Sequence, residues 1–174
     1  PTTSPNPQTA VNPTLQPTTN PTTDPTTDWK TYTNNEYNFT IKYPPDAKVS
    51  INQPESNDEM LLVVFDSPNA IFDHLFKSGG YSFQISMQTK KNFNTLDEYL
   101  SFQMEHNMYE EVLPKTYNNV NGYLFKNDKG YPGLNFIFRG FVAKNDDLYY
   151  TINYYTDDSV DMFDQILSTF KFTN

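Results

Sequence analysis

Hydrophobic and polar residues alternate with a period of two through much of the chain after Trp29. Tyr81, Phe83, Ile85 and Met87 are interleaved with Ser82, Gln84, Ser86 and Gln88, which predicts a strand with one core face and one wetter face. Phe39, Ile41 and Tyr43 alternate with Asn38, Thr40 and Lys42 in the same way; Pro44-Pro45-Asp46 then turns the chain, and Val49 and Ile51 open a return strand. Met60 to Phe65 is an unbroken apolar run, MLLVVF, suited to a strand covered on both faces. Further strands are predicted over 122–126, 134–143 and 148–155, separated by polar turns at 127–130 and 144–147. Strands joined by short polar turns describe an antiparallel meander.

Two segments change to a helical period. Thr95 and Glu98 form a T-x-x-E capping box, after which Leu96, Leu100, Met104 and Met108 recur every four residues until Pro114 bounds the segment. Asp157, Asp158 and Ser159 offer caps and favourable charge to a second helix carrying Val160, Phe163, Ile166, Leu167 and Phe170, followed by a short strand at 170–172. A third, weaker helix is predicted over 70–77, ahead of Gly79-Gly80. A meander with segregated helices belongs to the α+β class.

Composition divides the chain. Residues 1–28 hold seven of the 13 prolines and ten threonines, whereas all 14 Phe, all 13 Tyr and the single Trp fall in 29–174. With Val11 and Leu15 as its only large aliphatics, 1–28 cannot bury enough surface to offset chain entropy. The expectation is a disordered Pro/Thr-rich stalk, extended to at most ~85 Å at ~3.1 Å per residue, ahead of a single folded domain over 29–174. Such stalks hold surface-anchored or secreted bacterial proteins away from their anchor; an interdomain linker is the alternative. Because a stalk opens the chain at Pro1, a signal peptide or a lipid-modified cysteine upstream of Pro1 is expected.

Charge and chemistry narrow the function further. Twelve basic residues against 21 acidic give a net charge of −9, and Arg139 is the only arginine, which argues against nucleic acid or an anionic membrane as partner. No apolar run approaches the ~20 residues of a membrane span. Cysteine is absent, which removes thiol nucleophiles and cysteine-based zinc sites. The two histidines, His74 beside Asp73 and His106 beside Glu105 with Glu110 one turn on, lack metal-protease spacing. No G-x-S-x-G or phosphate-cradling glycine pattern occurs. Asp146, Asp147, Asp157, Asp158, Asp161 and Asp164 lack the spacing of an EF-hand loop. No catalytic residue, metal or cofactor is therefore predicted. The segment Leu148–Tyr155 offers the most suggestive surface. Leu148, Tyr150, Ile152 and Tyr154 form its core face, leaving Tyr149, Thr151, Asn153 and Tyr155 as an aromatic, hydrogen-bonding face suited to a sugar or protein ligand, or to packing beneath a helix.

The opening Trp29-Lys30-Thr31-Tyr32-Thr33-Asn34, then Tyr37, Phe39 and Ile41-Lys42-Tyr43-Pro44, resembles the W-x-x-Y-x-N-x-x-Y-x-F-x-x-x-Y-P start of PsbP-like domains of bacterial and archaeal extracytoplasmic proteins, including lipoproteins. The closing Ile166-Leu167-Ser168-Thr169-Phe170-Lys171-Phe172 is similar to the I-L-S-T-F-x-F ending of the same group. The resemblance brackets residues 29–172 and implies a central antiparallel sheet flanked by helices on both faces, an α/β/α sandwich. It also implies a role in stabilising or assisting larger assemblies, without transferring any site residue. The expected function is thus a non-catalytic extracytoplasmic binding or assembly module, cell-surface anchored or secreted, whose partner is a protein or cell-surface component. Two alternatives stand beside it: carbohydrate or peptide binding through exposed Tyr149 and Tyr155, and a metal-dependent hydrolase built on His106 and nearby carboxylates.

Overall fold

A computed structural model describes residues 24–52, 59–73, 76–89, 93–106, 111–127, 137–156 and 160–173. In chain order its elements are β1 (Lys30–Asn34), β2 (Phe39–Tyr43), β3 (Lys48–Asn52), β4 (Glu59–Asp66), β5 (Ile71–Asp73), β6 (Phe76–Ser78), β7 (Tyr81–Thr89), α1 (Leu96–His106), β8 (Glu111–Tyr117), β9 (Val120–Asn127), β10 (Ile137–Asn145), β11 (Leu148–Thr156), α2 (Asp161–Thr169) and β12 (Lys171–Phe172). Seven strands form one sheet in the order β3-β4-β7-β11-β10-β9-β8, and β1-β2-β12 form a second; β5 and β6 make a separate hairpin. Every strand pairing among the described residues is antiparallel.

The alternation of apolar residues sets the register. Val63 on β4, Ile85 on β7, Ile152 on β11, Phe141 on β10 and Leu124 on β9 lie in one row across the large sheet, and each is at most 2% exposed. The small sheet and α2 cover this face through Phe39, Ile41, Phe163, Ile166, Leu167 and Phe170. Aromatic rings fill the interface: Phe65 stacks on Phe83 at 4.3 Å, Tyr154 on Phe163 at 5.4 Å, and Tyr150 meets Phe172 edge-on at 4.9 Å. On the opposite face, Tyr99 and Leu100 of α1 pack over Phe125, Val142 and Tyr149.

The helix-flanked α/β/α sandwich is therefore corrected. Among the described residues there are two helices, of 11 and 9 residues, and neither forms a layer. The cover over the main core is shared between α2 and a three-stranded sheet, while α1 reaches only a satellite cluster. Two local misreadings contribute. The helix expected over 70–77 is the hairpin β5–β6, which leads into Gly79 and Gly80 at φ +78° and +115°, a left-handed stretch that only glycine enters without strain. Within the described residues α1 runs to His106, and Pro114 falls inside β8 rather than just beyond a helix; proline is accepted there because, among the described residues, β8 is an edge strand. The β8–β9 hairpin itself turns on Asn118 and Asn119, both at positive φ, with Tyr117 facing Val120 across it. This two-residue Asn-Asn turn is a recognisable hairpin signal that the pattern reading passed over.

The helix starts obey the local rules. Thr95 Oγ1 accepts from Glu98 N at 3.1 Å, and the Glu98 carboxylate reaches back to accept from Asn94 N at 2.8 Å, the reciprocal arrangement of a capping box shifted by one residue. Asp161 and Asp164 lie in the first turn of α2, where negative charge opposes the helix dipole. The caps expected at Asp157, Asp158 and Ser159 lie outside the described residues.

Candidate functional site

The four residues singled out on β11 share one face of the strand, but they do not share an environment. Tyr149 is 1% exposed. Its ring stacks on Tyr99 of α1 at 4.7 Å, and its hydroxyl donates to the Phe93 and Thr95 carbonyls, each at 3.2 Å, at the start of that helix. Burial, then the nearby Glu98 carboxylate, raises the phenol pKa above its ordinary value. Thr151, Asn153 and Tyr155 are half-buried. Tyr155 accepts a hydrogen bond from Gln84 Nε2 at 3.0 Å and packs against Phe138, with ring centroids 5.2 Å apart. The Thr151 hydroxyl lies 3.5 Å from that of Tyr99. Asn153 Oδ1 sits 3.0 Å from where a side chain on Gly140 would begin. This face is thus partly roofed, and Tyr149 serves as the seat of α1.

The opposite core face follows the alternation: Tyr150, Ile152 and Tyr154 are 0–2% exposed, while Leu148 at the strand's start is half-buried. Tyr150 donates to the Tyr37 carbonyl at 2.9 Å, tying the large sheet to the loop between β1 and β2. Near α2, the Tyr117 hydroxyl donates to Asp164 at 2.7 Å. Desolvation, reinforced by that carboxylate, raises the Tyr117 pKa.

A second site forms where the N-terminal segment meets the small sheet. Asp24, Pro25, Thr26 and Thr27 fold into a turn. The Asp24 carboxylate accepts from both the backbone N and the hydroxyl of Thr26, each at 2.9 Å, while the Asp24 carbonyl accepts from Thr27 N and Oγ1. Trp29 N then donates to the Thr26 carbonyl at 3.2 Å. The Thr26 amide and hydroxyl hold the Asp24 carboxyl below its ordinary pKa, with a smaller contribution from Lys42. The turn is seated: Thr26 is only 3% exposed, and Lys42 Nζ on β2 donates to its carbonyl at 3.1 Å.

Beside this turn lies a cleft of about 500 Å³, bounded by Thr31 on β1, Thr40 and Lys42 on β2, Lys171 on β12, and Ser168 and Thr169 at the end of α2. Alternation explains the lining. Phe39 and Ile41 point to the core, so Thr40 and Lys42 face outward; Thr31 pairs with Lys42, and Lys171 with Thr40. Thr169 bridges strand and helix, accepting from Lys42 N at 2.9 Å and donating to the Ile166 carbonyl at 2.7 Å. Ser168 donates to the Gln165 carbonyl at 2.7 Å. Two carbonyls of the last turn of α2, those of Gln165 and Ile166, are thereby bonded by its own hydroxyls.

Other candidates do not assemble. Among the described residues no three His, Asp or Glu side chains gather as metal ligands, and no helix is long and apolar enough to cross a membrane. His74, Glu110, Asp157 and Asp158 lie outside the described residues, as does the side chain of His106.

No family model matches the chain, and no curated protein matches it in sequence. Solved structures do match. Cyanobacterial PsbP (CyanoP) from Synechocystis superposes with a TM-score of 0.60 at 13% identity, over 83% of this chain and 92% of that one. A protein of Bacteroides thetaiotaomicron superposes with a TM-score of 0.58 at 12% identity, over 83% of this chain. The present chain spans about half the length of the Bacteroides protein, 48%. The fold is accordingly PsbP-like; at these identities the likeness concerns the fold alone.

Proposed function

We propose that the chain is a non-catalytic binding or assembly module that works outside the cytoplasm, carried on the Pro/Thr-rich stretch that precedes Asp24 and engaging a protein or another component of the cell surface. The observation that supports this most directly is the seated Asp24–Asp28 turn. A spacer that merely trailed from the domain would have no reason to bury Thr26 or to engage Lys42. A fixed exit gives the domain a defined orientation at the end of its stalk. The PsbP-like fold of CyanoP is compatible with such a role, and the absence from the sequence of a nucleophile elbow or zinc-protease motif points the same way.

Placement is tested by treating intact cells of the source organism with an external protease and following the chain with an antibody against the folded part. Cleavage within residues 1–23, releasing the domain into the medium while a cytosolic marker stays intact, is the expected result. A chain that is protected until the cells are lysed overturns the extracytoplasmic reading.

A further inference from the structure

We propose that the cleft beside the Asp24–Asp28 turn binds a small polyol carrying one carboxylate, a sugar acid. The assignment supplies a ligand for the binding module and so rests on that reading, but not on where the chain resides.

Four observations carry it. First, the cleft collects positive charge in a chain whose net charge is −9. Thr40 faces Lys171 across the β2–β12 pair, and Lys42 lies two residues further along the same outward face. The two lysines are diagonal neighbours on one sheet surface, a spacing that long side chains can span. Second, part of their hydrogen-bonding capacity is unspent. Lys42 Nζ gives a bond to the Thr26 carbonyl at 3.1 Å and a long one to its hydroxyl at 3.5 Å, which leaves one N–H of the three. Lys171, Thr31 and Thr40 have no side-chain partner among the described residues. Unengaged N–H and O–H donors in a concave site suit an oxygen-rich anion.

Third, the charge balance selects its valence. Two lysines against the Asp24 carboxylate leave one net positive charge, which matches a monocarboxylate and leaves a phosphate dianion in excess. Fourth, apart from Ile41 the remaining described lining is hydroxyl and amide. Thr31, Thr40, Ser168, Thr169 and Asn118 line the cleft with the two lysines; the Ser168 hydroxyl oxygen, whose proton is given to a helix carbonyl, remains as an acceptor, and Thr169 Oγ1, which already accepts from Lys42 N, keeps one lone pair. A ligand with several hydroxyls beside its carboxylate uses both kinds of group. Among the described residues no aromatic ring lines the cleft, so they offer a neutral sugar no stacking platform and charge leads recognition. The volume, about 500 Å³, lies within the ~300–1,000 Å³ of small-molecule sites.

The test titrates the full chain with D-glucuronate, D-glucose and inorganic phosphate, following backbone amide shifts by NMR at low and moderate ionic strength. Saturable shifts at Thr40, Lys42 and Lys171 with glucuronate are expected, weakening as salt rises, with glucose roughly tenfold weaker or worse. Lys171→Gln, an exposed substitution that leaves the core intact, should weaken glucuronate by roughly tenfold; Thr40→Val should weaken it without changing the net charge. Phosphate binding as well as glucuronate, or glucuronate binding untouched by Lys171→Gln, overturns the assignment, the first by making the cleft a general anion site. No saturable shift with any of the three also overturns it. Since the titration uses purified protein, its failure leaves the cellular protease test free to succeed or fail separately.

Discussion

The seat of the N-terminal turn makes a prediction whose size follows from the contacts. In Lys42→Met the aliphatic stem is retained, so packing changes little and the lost group is the ammonium that donates to Thr26 O at 3.1 Å. A hydrogen bond from a charged donor contributes about 1.5–3 kcal/mol when sheltered. Lys42 is half-buried, so solvent screening reduces the figure to about 1 kcal/mol, a factor of roughly five in the equilibrium between seated and open turn. The burden falls on a local opening because the side-chain hydrogen bonds that tie Thr26 to the sheet come from Lys42, whereas the core strands are held by their ladders. Trp29, the single tryptophan, sits at the end of the turn and packs against the core, with its amide bonded to Thr26 O. It is therefore a specific reporter. Amide exchange at Trp29 should accelerate about fivefold, and acrylamide should quench its fluorescence more readily. Exchange at Ile152 in the central strand β11 should not change, and the melting temperature should fall by no more than about 4 °C. Unchanged exchange and quenching at Trp29 refute the idea that Lys42 seats the turn. Equal acceleration at Trp29 and Ile152 refutes its local character.

Two further perturbations probe the same corner and the sheet behind it. Asp24 has a folded pKa below its ordinary 3.8, so its contribution to the turn is present above about pH 4 and is lost as pH falls through the lower folded value. Trp29 quenching should rise over that acidic window in the native chain but not in Asp24→Asn, and identical profiles would count against the carboxylate's role. Gly122→Ala places a methyl group 2.3 Å from the Val142 carbonyl oxygen and 2.5 Å from Phe141 Cζ. With Gly122 paired to Ala143 in the β9–β10 ladder, the strand cannot move aside without losing its register, so a cost of about 3 kcal/mol is expected. That corresponds to a fall of about 6–12 °C in melting temperature; a fall below about 2 °C would show that the ladder yields more easily than its pairing implies.

Local pattern made several elements legible. The alternation from Tyr81 to Met87 becomes β7, the MLLVVF run lies within β4, and the Thr95–Glu98 box starts α1, because each depends on residues within one or two turns of one another. The two-layer arrangement was not legible in this way. β2 pairs with β12 through Thr40 and Lys171, more than a hundred residues apart, and no short window records that partnership. The same distance hid the cleft, whose lining comes from the N-terminal turn, β1, β2, the end of α2 and β12. Tyr149 shows a subtler limit. Alternation correctly separates it from Tyr150, but the residue that covers it, Tyr99, stands one place before Leu100 in the helical repeat and was not counted among the apolar positions.

The edge of the Pro/Thr-rich stretch illustrates how composition and contacts divide a chain differently. By composition the break falls at Trp29, where aromatic residues begin. By contacts the folded unit already includes Thr26, held from within by the Asp24 carboxylate and from the sheet by Lys42. Proline and threonine, which make a sequence poor at burying surface, are also the residues that build a tight turn: proline fixes φ, and an Asp or Thr oxygen satisfies nearby backbone donors. The Asp-Pro-Thr-Thr stretch therefore shares the composition of the residues before it and the bonding of the folded unit after it. Its position at the lip of the cleft means that a ligand engaging Lys42 competes for, or shares, the ammonium that seats the turn. Binding and the seating of the turn are then coupled through one side chain, and the sign of that coupling is readable from whether glucuronate slows or speeds exchange at the Trp29 amide.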